Sequence, residues 1–171
     1  AEPLPAPKAA AEAVERNRSE PLTKLESDLL WAVLQNVAWI ELLAQVIDHQ
    51  WIKPHSPEGK ILSLLLAHAT VDHIEGTDAI YMLLESDDER ACFHRILAED
   101  RPHLEMESFV NQTLESLARR YCRQKISELN QTINAVSSEC FDAERIRALT
   151  REKKDFQRHL NGELLPRISL P

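Results

Sequence analysis

The sequence predicts an all-α fold: a five-helix bundle followed by a long helix and an antiparallel helical hairpin. Glycine is scarce, with only 3 among 171 residues, whereas β-rich chains normally use glycine in their turns. Apolar residues recur at helical spacing from residue 22 onward, and no segment alternates as a half-buried strand does. Residues 105–137 contain neither proline nor glycine, so nothing there interrupts a helix.

The first two helices are predicted between residue 23 and the prolines at 54 and 57. Thr23 and Glu26 have the spacing of a capping box, in which a hydroxyl and a carboxylate bind free amides at a helix start. The first helix then shows one apolar stripe, formed by Leu25, Leu29, Leu30, Val33 and Leu34. The second helix is short and carries Trp39, Ile40, Leu43, Val46 and Ile47.

The third helix is predicted to be the centre of the bundle. Ser56 is suited to cap it, and Pro57 to its first turn, where a missing N–H costs nothing. Apolar residues then cover nearly its whole circumference from Ile61 to Ala69. A helix that is apolar all round needs neighbours on all sides, which places this one at the centre.

Two shorter helices complete the predicted bundle. Residues 76–78 break the third helix and open a fourth, which carries Ile80, Tyr81, Leu83 and Leu84. Ser86 and Glu89 form a second capping box, with acidic residues that complement the helix dipole. This box opens a fifth helix, which carries Phe93, Ile96 and Leu97 and which Pro102 should end.

The uninterrupted stretch 105–137 predicts a helix about 50 Å long, so part of it should project from a compact bundle. Its apolar positions form a coiled-coil-like seam with one phase slip near Tyr121 and Cys122. A turn at 137–141 precedes a seventh helix over 142–160, and so short a connection predicts an antiparallel hairpin. The seam positions are Val110, Leu114, Leu117, Tyr121, Cys122, Ile126, Leu129, Ile133 and Val136.

The chain divides into a Pro/Ala-rich linker at 1–21, a helical bundle at 22–104, the long helix and hairpin at 105–162, and a tail at 163–171. A partial helix over Ala9–Arg16 is the alternative within the linker. The net charge is −8. Residues 1–118 hold 9 basic and 21 acidic groups, whereas residues 119–158 hold 10 basic and 6 acidic ones. An acidic bundle therefore carries a mildly basic hairpin.

Composition also bounds the location and the chemistry. The three cysteines (Cys92, Cys122 and Cys140) have no paired spacing, which favours reduced thiols in the cytoplasm. No apolar run is long enough for a membrane span, and no signal-peptide pattern occurs. Neither common glycine-rich phosphate loop is present. Because the chain starts with Ala1, we expect it to be a piece of a longer protein.

No arrangement of residues predicts catalysis or a metal site. Neither H-E-x-x-H nor Glu-x-x-His occurs, and the one Asp-x-x-His contains Pro102. His68, Asp72 and Glu75 would share one face of a continuous helix and could bind a metal in a helical hydrolase. A polar, solvated face is the simpler interpretation, since no second His or Cys cluster completes the ligand sphere.

The basic cluster Arg119, Arg120, Arg123 and Lys125 could contact nucleic-acid phosphates or an acidic protein. The alternative is a solvated helix face, although neither Arg123 nor Lys125 has an acid four residues further on. The overall charge and the absence of a groove-reading motif favour an acidic protein over nucleic acid.

The second helix of the hairpin combines apolar and cationic residues in the way that helix-face recognition requires. The apolar residues are Ile146, Leu149, Phe156 and Leu160, and the arginines are Arg145, Arg147, Arg151 and Arg158. The competing interpretation is that this seam packs wholly on the long helix.

The layout over residues 22–162 resembles the C-terminal helicase-binding domain of bacterial DNA primase. The resemblance is carried by LESDLLWAVLQ at 25–35, the leucine-rich helix over 61–69, Ile126-x-x-Leu129-x-x-x-Ile133, and Leu149-x-x-Glu152-x-x-x-Phe156. It implies a non-catalytic adaptor that docks on the N-terminal domain of the hexameric replicative helicase. Zinc and magnesium would belong only to upstream domains, and this part of the chain would need no cofactor.

The resemblance also implies where the partner binds, namely on the hairpin and mainly on its last helix. With the flanking arginines, the predicted partner-binding residues are Arg145, Ile146, Arg147, Leu149, Phe156, Arg158, His159 and Leu160. The family has no clear counterpart of the 163–171 tail. Alternatives are the N-terminal helical domain of a replicative helicase, another helical adaptor, or the metal-dependent hydrolase considered above.

Overall fold

The computed structural model describes residues 24–101, 105–139, 142–162 and 167–169, and within these ranges every regular element is a helix. The all-α prediction is therefore confirmed. The helices are α1 (Lys24–Gln35), α2 (Trp39–Val46), α3 (Pro57–Ala69), α4 (Thr77–Leu83), α5 (Asp87–Leu97), α6 (Met106–Glu139) and α7 (Ala143–Leu160), with a 3-10 turn at His49–Trp51. None of these helices is both long and apolar enough to cross a membrane.

Several sequence predictions fall outside the described residues. They are the 1–21 linker with its alternative helix Ala9–Arg16, the cap residue Thr23, Pro102, Cys140, and most of the 163–171 tail.

Local capping signals set the starts of three helices. The Ser56 hydroxyl accepts a hydrogen bond from the Gly59 amide at 3.1 Å, and the predicted capping box of Ser86 and Glu89 is present at the start of α5. At α7 the Asp142 carboxylate accepts from the Arg145 amide at 3.1 Å. These starts follow from side chains within a few residues of the chain, so the sequence predicts them well.

α5 ends at Leu97, earlier than the end predicted at Pro102. Beyond α5, Glu99 accepts a hydrogen bond through its backbone carbonyl from the Trp31 indole at 3.0 Å. The Arg101 guanidinium bonds the carboxylates of Asp28 and Glu99 and lies over the Trp31 ring. These contacts to α1 hold the connection out of helical geometry, which the local sequence does not reveal.

The centre of the bundle is α1, and the prediction that placed α3 there is wrong. Every residue from Asp28 to Leu34 is buried, and α1 packs against α2, α3, α5 and α6. α3 packs against α1, α2 and α5, but Leu64 is only half-buried and Ala67 is exposed. A helix that is apolar all round needs apolar neighbours, but this pattern does not show which helix of a bundle is buried on every side.

α6 is a single helix of 34 residues, about 50 Å long. Its N-terminal half packs on α1, with Val110, Leu114 and Leu117 fully buried. Among the described residues beyond Cys122, only Leu129 of α6 is buried. The helix therefore has one half in the core and one half with much less cover.

α7 lies against α6 in antiparallel order. The Arg119 guanidinium donates to the Leu160 carbonyl at 2.8 Å, and the rings of Tyr121 and Phe156 are 6.0 Å apart. α6 is the only element with which α7 has an extensive contact within the described ranges. No residue of α7 is buried.

Candidate functional site

α7 presents the predicted partner-binding residues in two groups. Arg145, Arg147 and Arg158 are exposed. The other five are half-buried: Ile146, Leu149, Phe156, His159 and Leu160. The cations are accessible to a partner, whereas the apolar residues divide their surface between α6 and solvent.

Phe156 is partly used within the chain. Its ring meets the Tyr121 ring edge to face, and the Tyr121 ring in turn lies 6.5 Å from that of Trp51. This aromatic chain links α7, the middle of α6 and the 3-10 turn. The alternative of an intramolecular seam is therefore correct in part for Phe156, which makes it a weaker anchor for a partner than the sequence alone indicates.

Ile146 is one of the half-buried apolar residues of α7, and it lies among cationic side chains. This side chain, with Arg147, Thr150, Arg151 and Lys154, lines a shallow depression of about 350 Å³. Arg151 was noted only as one of the arginines of this helix, outside the predicted partner-binding set, and Thr150 and Lys154 were not predicted. Their spacing of four and eight residues from Ile146 places all three on one helical stripe, and this spacing could have identified them. We call these five residues the α7 groove.

The charge of the α7 groove is positive and largely unneutralised. α7 contains six basic and three acidic residues. Among the described residues, its only basic side chain with a carboxylate within 4 Å is Arg158, whose guanidinium lies 3.9 Å from Asp155. The three cations of the groove thus have no ionic partner in the described ranges, so they remain available to an anionic surface.

The predicted basic cluster on α6 is mostly engaged inside the chain. Arg119 bonds the Glu115 carboxylate at 2.8 Å as well as the Leu160 carbonyl. Lys125 pairs with Glu128 at 3.0 Å, and this hydrogen bond raises the pKa of Lys125. Glu128 lies three residues after Lys125, so a pair at i,i+3 spacing supplies the local partner that is absent at i,i+4.

Arg120 makes the most buried ionic contact. Its guanidinium forms two hydrogen bonds with the carboxylate of Glu26, which is 0% exposed, and donates to the Trp51 carbonyl at 2.9 Å. Glu26 also accepts from the Lys53 amide at 3.1 Å. Of the four clustered cations, Arg123 is the exposed one. The cluster is therefore not a continuous basic surface for nucleic acid or for an acidic partner.

A cavity of about 590 Å³ adjoins this ion pair, between the 3-10 turn and α6. Trp51 and Tyr121 line it, and the Tyr121 hydroxyl donates to the Gln50 side chain at 2.8 Å. Burial raises the pKa of Tyr121. The Gln124 amide, which also lines the cavity, donates to Glu128 at 2.9 Å, so several polar groups of this cavity are already bonded within the chain.

The alternative metal site is not assembled. α3 ends at Ala69, so His68 lies on a helix whereas Asp72 and Glu75 follow in non-helical chain. The shared face required an unbroken helix through residue 75. Within the described ranges no group of three His, Cys, Asp or Glu side chains is placed to hold a metal ion.

The two described cysteines are buried free thiols. Burial raises the pKa of Cys92 to about 11 and also raises that of Cys122. Both thiols therefore stay protonated near neutrality, and the Cys92 sulfur accepts a hydrogen bond from the Arg95 guanidinium at 3.7 Å.

Comparison with known proteins found no match to this chain among family models, curated proteins or solved structures.

Proposed function

We propose that this chain is a helicase-interaction domain of the bacterial DNA primase type, which binds rather than catalyses. In this proposal the α1–α5 bundle is the scaffold, and α6 with α7 forms a projecting hairpin. The hairpin docks on the N-terminal domain of the hexameric replicative helicase and so couples primer synthesis to the replication fork. The synthetic activity would belong to upstream domains of the parent primase.

The observation that carries the proposal is the incomplete burial of α7. A helix with an apolar stripe gains stability by covering it, yet α7 contains no buried residue and, among the elements that the structure describes, packs extensively only on α6. Ile146 is half-buried, and the neighbouring Arg147, Arg151 and Lys154 are exposed. Apolar anchors bordered by arginine are typical of surfaces that recognise another helix.

The charge of this surface defines the partner chemistry. Arg147, Arg151 and Lys154 surround Ile146, so the complementary surface should carry carboxylates around an apolar contact. Docking therefore requires an acidic, partly apolar face on the N-terminal domain of the helicase. The acidic bundle of this chain would be repelled by that face, which orients docking through α7.

Binding of the purified chain to the purified helicase hexamer from the same bacterium tests the proposal. We expect saturable binding in biolayer interferometry at micromolar concentrations. The charge reversal R147E/R158E should weaken it at least tenfold, because electrostatic complementarity is lost without burial of a new group (about 1.4 kcal/mol or more). Circular dichroism would establish that the variant keeps its helix content.

A matched control is K24E/K60E, which makes the same change in net charge at exposed positions of α1 and α3. It should leave the affinity unchanged within about twofold. No binding at about 50 μM helicase, or equal losses in both double variants, would refute docking through α7. Salt-sensitive retention on single-stranded DNA without helicase binding would instead indicate a nucleic-acid module.

A further inference from the structure

The Asn111 side chain of α6 forms two hydrogen bonds with the backbone of Ile168, in the C-terminal tail. The Asn111 side-chain amide donates to the Ile168 carbonyl at 2.8 Å, and its carbonyl accepts from the Ile168 amide at 2.8 Å. The carboxamide thus bonds both polar groups of one residue, as a neighbouring β-strand would. This recognition is directed at the backbone of an extended peptide.

The side chain of Ile168 fills a position in the core. It is 7% exposed and belongs to the same buried cluster as Val110 and Leu114 of α6. Its neighbours Arg167 and Ser169 are both exposed. The contact therefore favours a branched apolar side chain at this one position, whereas the side chains on either side of it can vary.

Leu160 and Ile168 each form a described contact with α6. Arg119 binds the carbonyl of Leu160, and Asn111 binds Ile168, so eight residues separate the contacts on each segment. Eight helical residues rise about 12 Å, whereas eight tail residues can reach about 27 Å when extended. The tail has enough length to leave the site and return without unwinding α7.

We propose that Asn111 and the adjoining apolar position form a docking site for an extended peptide with a branched apolar residue. The chain's own tail occupies this site in cis as a releasable latch. A tether this short gives an effective concentration in the millimolar range, so a weak contact of this size stays mostly closed. The latch fastens the C-terminal end of the hairpin to the bundle, independently of what α7 binds.

The rate at which trypsin cleaves after Arg167 reports the fraction of molecules whose tail is released, because a protease needs the flanking backbone free and extended. Loss of the last four residues, Ile168–Pro171, can be followed by intact mass. We expect N111A to lose them about tenfold faster than the unmodified chain, since both clasping hydrogen bonds disappear. N130A makes the same substitution at an exposed position of α6 and should cleave at the unmodified rate.

A competing peptide tests the site in the unmodified chain, so the test does not depend on the folding of a variant. Peptide 163–171 carrying R167Q resists trypsin and should accelerate tail cleavage at millimolar concentration, whereas the same peptide with I168D added should not. Equal cleavage of N111A and the unmodified chain, or equal effects of both peptides, would overturn the proposal. A dimer that N111A dissociates would overturn occupation in cis.

Discussion

Replacing Arg120 by methionine should be among the most destabilising single changes in this protein. The substitution removes both guanidinium hydrogen bonds to Glu26 and leaves that carboxylate, which is 0% exposed, with the Lys53 amide as its remaining described donor. It also removes the donor to the Trp51 carbonyl. Methionine keeps most of the side-chain volume, so the change isolates the charge from the packing.

The expected magnitude is about 3–5 kcal/mol, because removing one partner of a buried ion pair leaves an uncompensated charge. For a chain of this size that corresponds to a fall in melting temperature of about 6–20 °C. E26Q keeps an oxygen acceptor for the Lys53 amide, and the Arg120 side chain retains 15% exposure to solvent whereas that of Glu26 has none. It should cost less, about 1–3 kcal/mol.

Urea unfolding of both single variants and of E26Q/R120M measures the coupling directly. The double variant should be more stable than R120M, since the buried charge is gone, with an interaction energy of about 1–3 kcal/mol. The surface pair of Lys125 and Glu128 is the control, and K125M should cost less than about 1 kcal/mol. A loss below about 1 kcal/mol for R120M would refute the expectation that breaking this buried pair leaves an uncompensated charge on Glu26.

Three further changes test other parts of the fold. G59A should destabilise by more than about 2 kcal/mol in thermal unfolding despite alanine's better helix propensity, because the added Cβ would overlap the Lys53 carbonyl oxygen; a stabilised variant would contradict this. S86A should cost about 1 kcal/mol through loss of the cap to Glu89, and an unchanged urea midpoint would count against the capping box. Cys92 should resist alkylation at pH 8 until the chain unfolds, since its pKa is about 11. Between pH 9 and 11 the unfolded thiol ionises while the folded one stays protonated, so the contribution of Cys92 to the free energy of unfolding falls as pH rises. C92A should remove that pH dependence.

The sequence predicted most of the helices because the signals that set them are local. Ser56, Ser86 and Asp142 cap helices through bonds to amides three residues away. The apolar period and the absence of breakers likewise predicted a long, uninterrupted α6. The end of α5 was missed because a contact to the distant Trp31 decides it.

The candidate site was predicted in part for the same reason. The cations and apolar residues of α7 follow from helical spacing, but the sequence could not show which of them α6 would cover. In the structure Ile146 and Phe156 are both half-buried, but Phe156 meets the Tyr121 ring whereas Ile146 lines the α7 groove. For the cations of α6 the prediction of a basic surface was wrong at Arg120. Its position in the sequence is typical of a surface residue, but its guanidinium pairs with the buried carboxylate of Glu26.

By itself, the sequence determined the fold class, the helix starts and the cationic character of α7, because each depends on residues within one or two helical turns. Only the tertiary structure decided that α1 is central, that Glu26 and Arg120 pair across 94 positions, and that Asn111 clasps Ile168 across 57. The physical reason is that burial and pairing depend on which surfaces meet. Glu26 has the spacing of a helix cap, yet its carboxylate bonds a distant guanidinium, and no local pattern distinguishes the two.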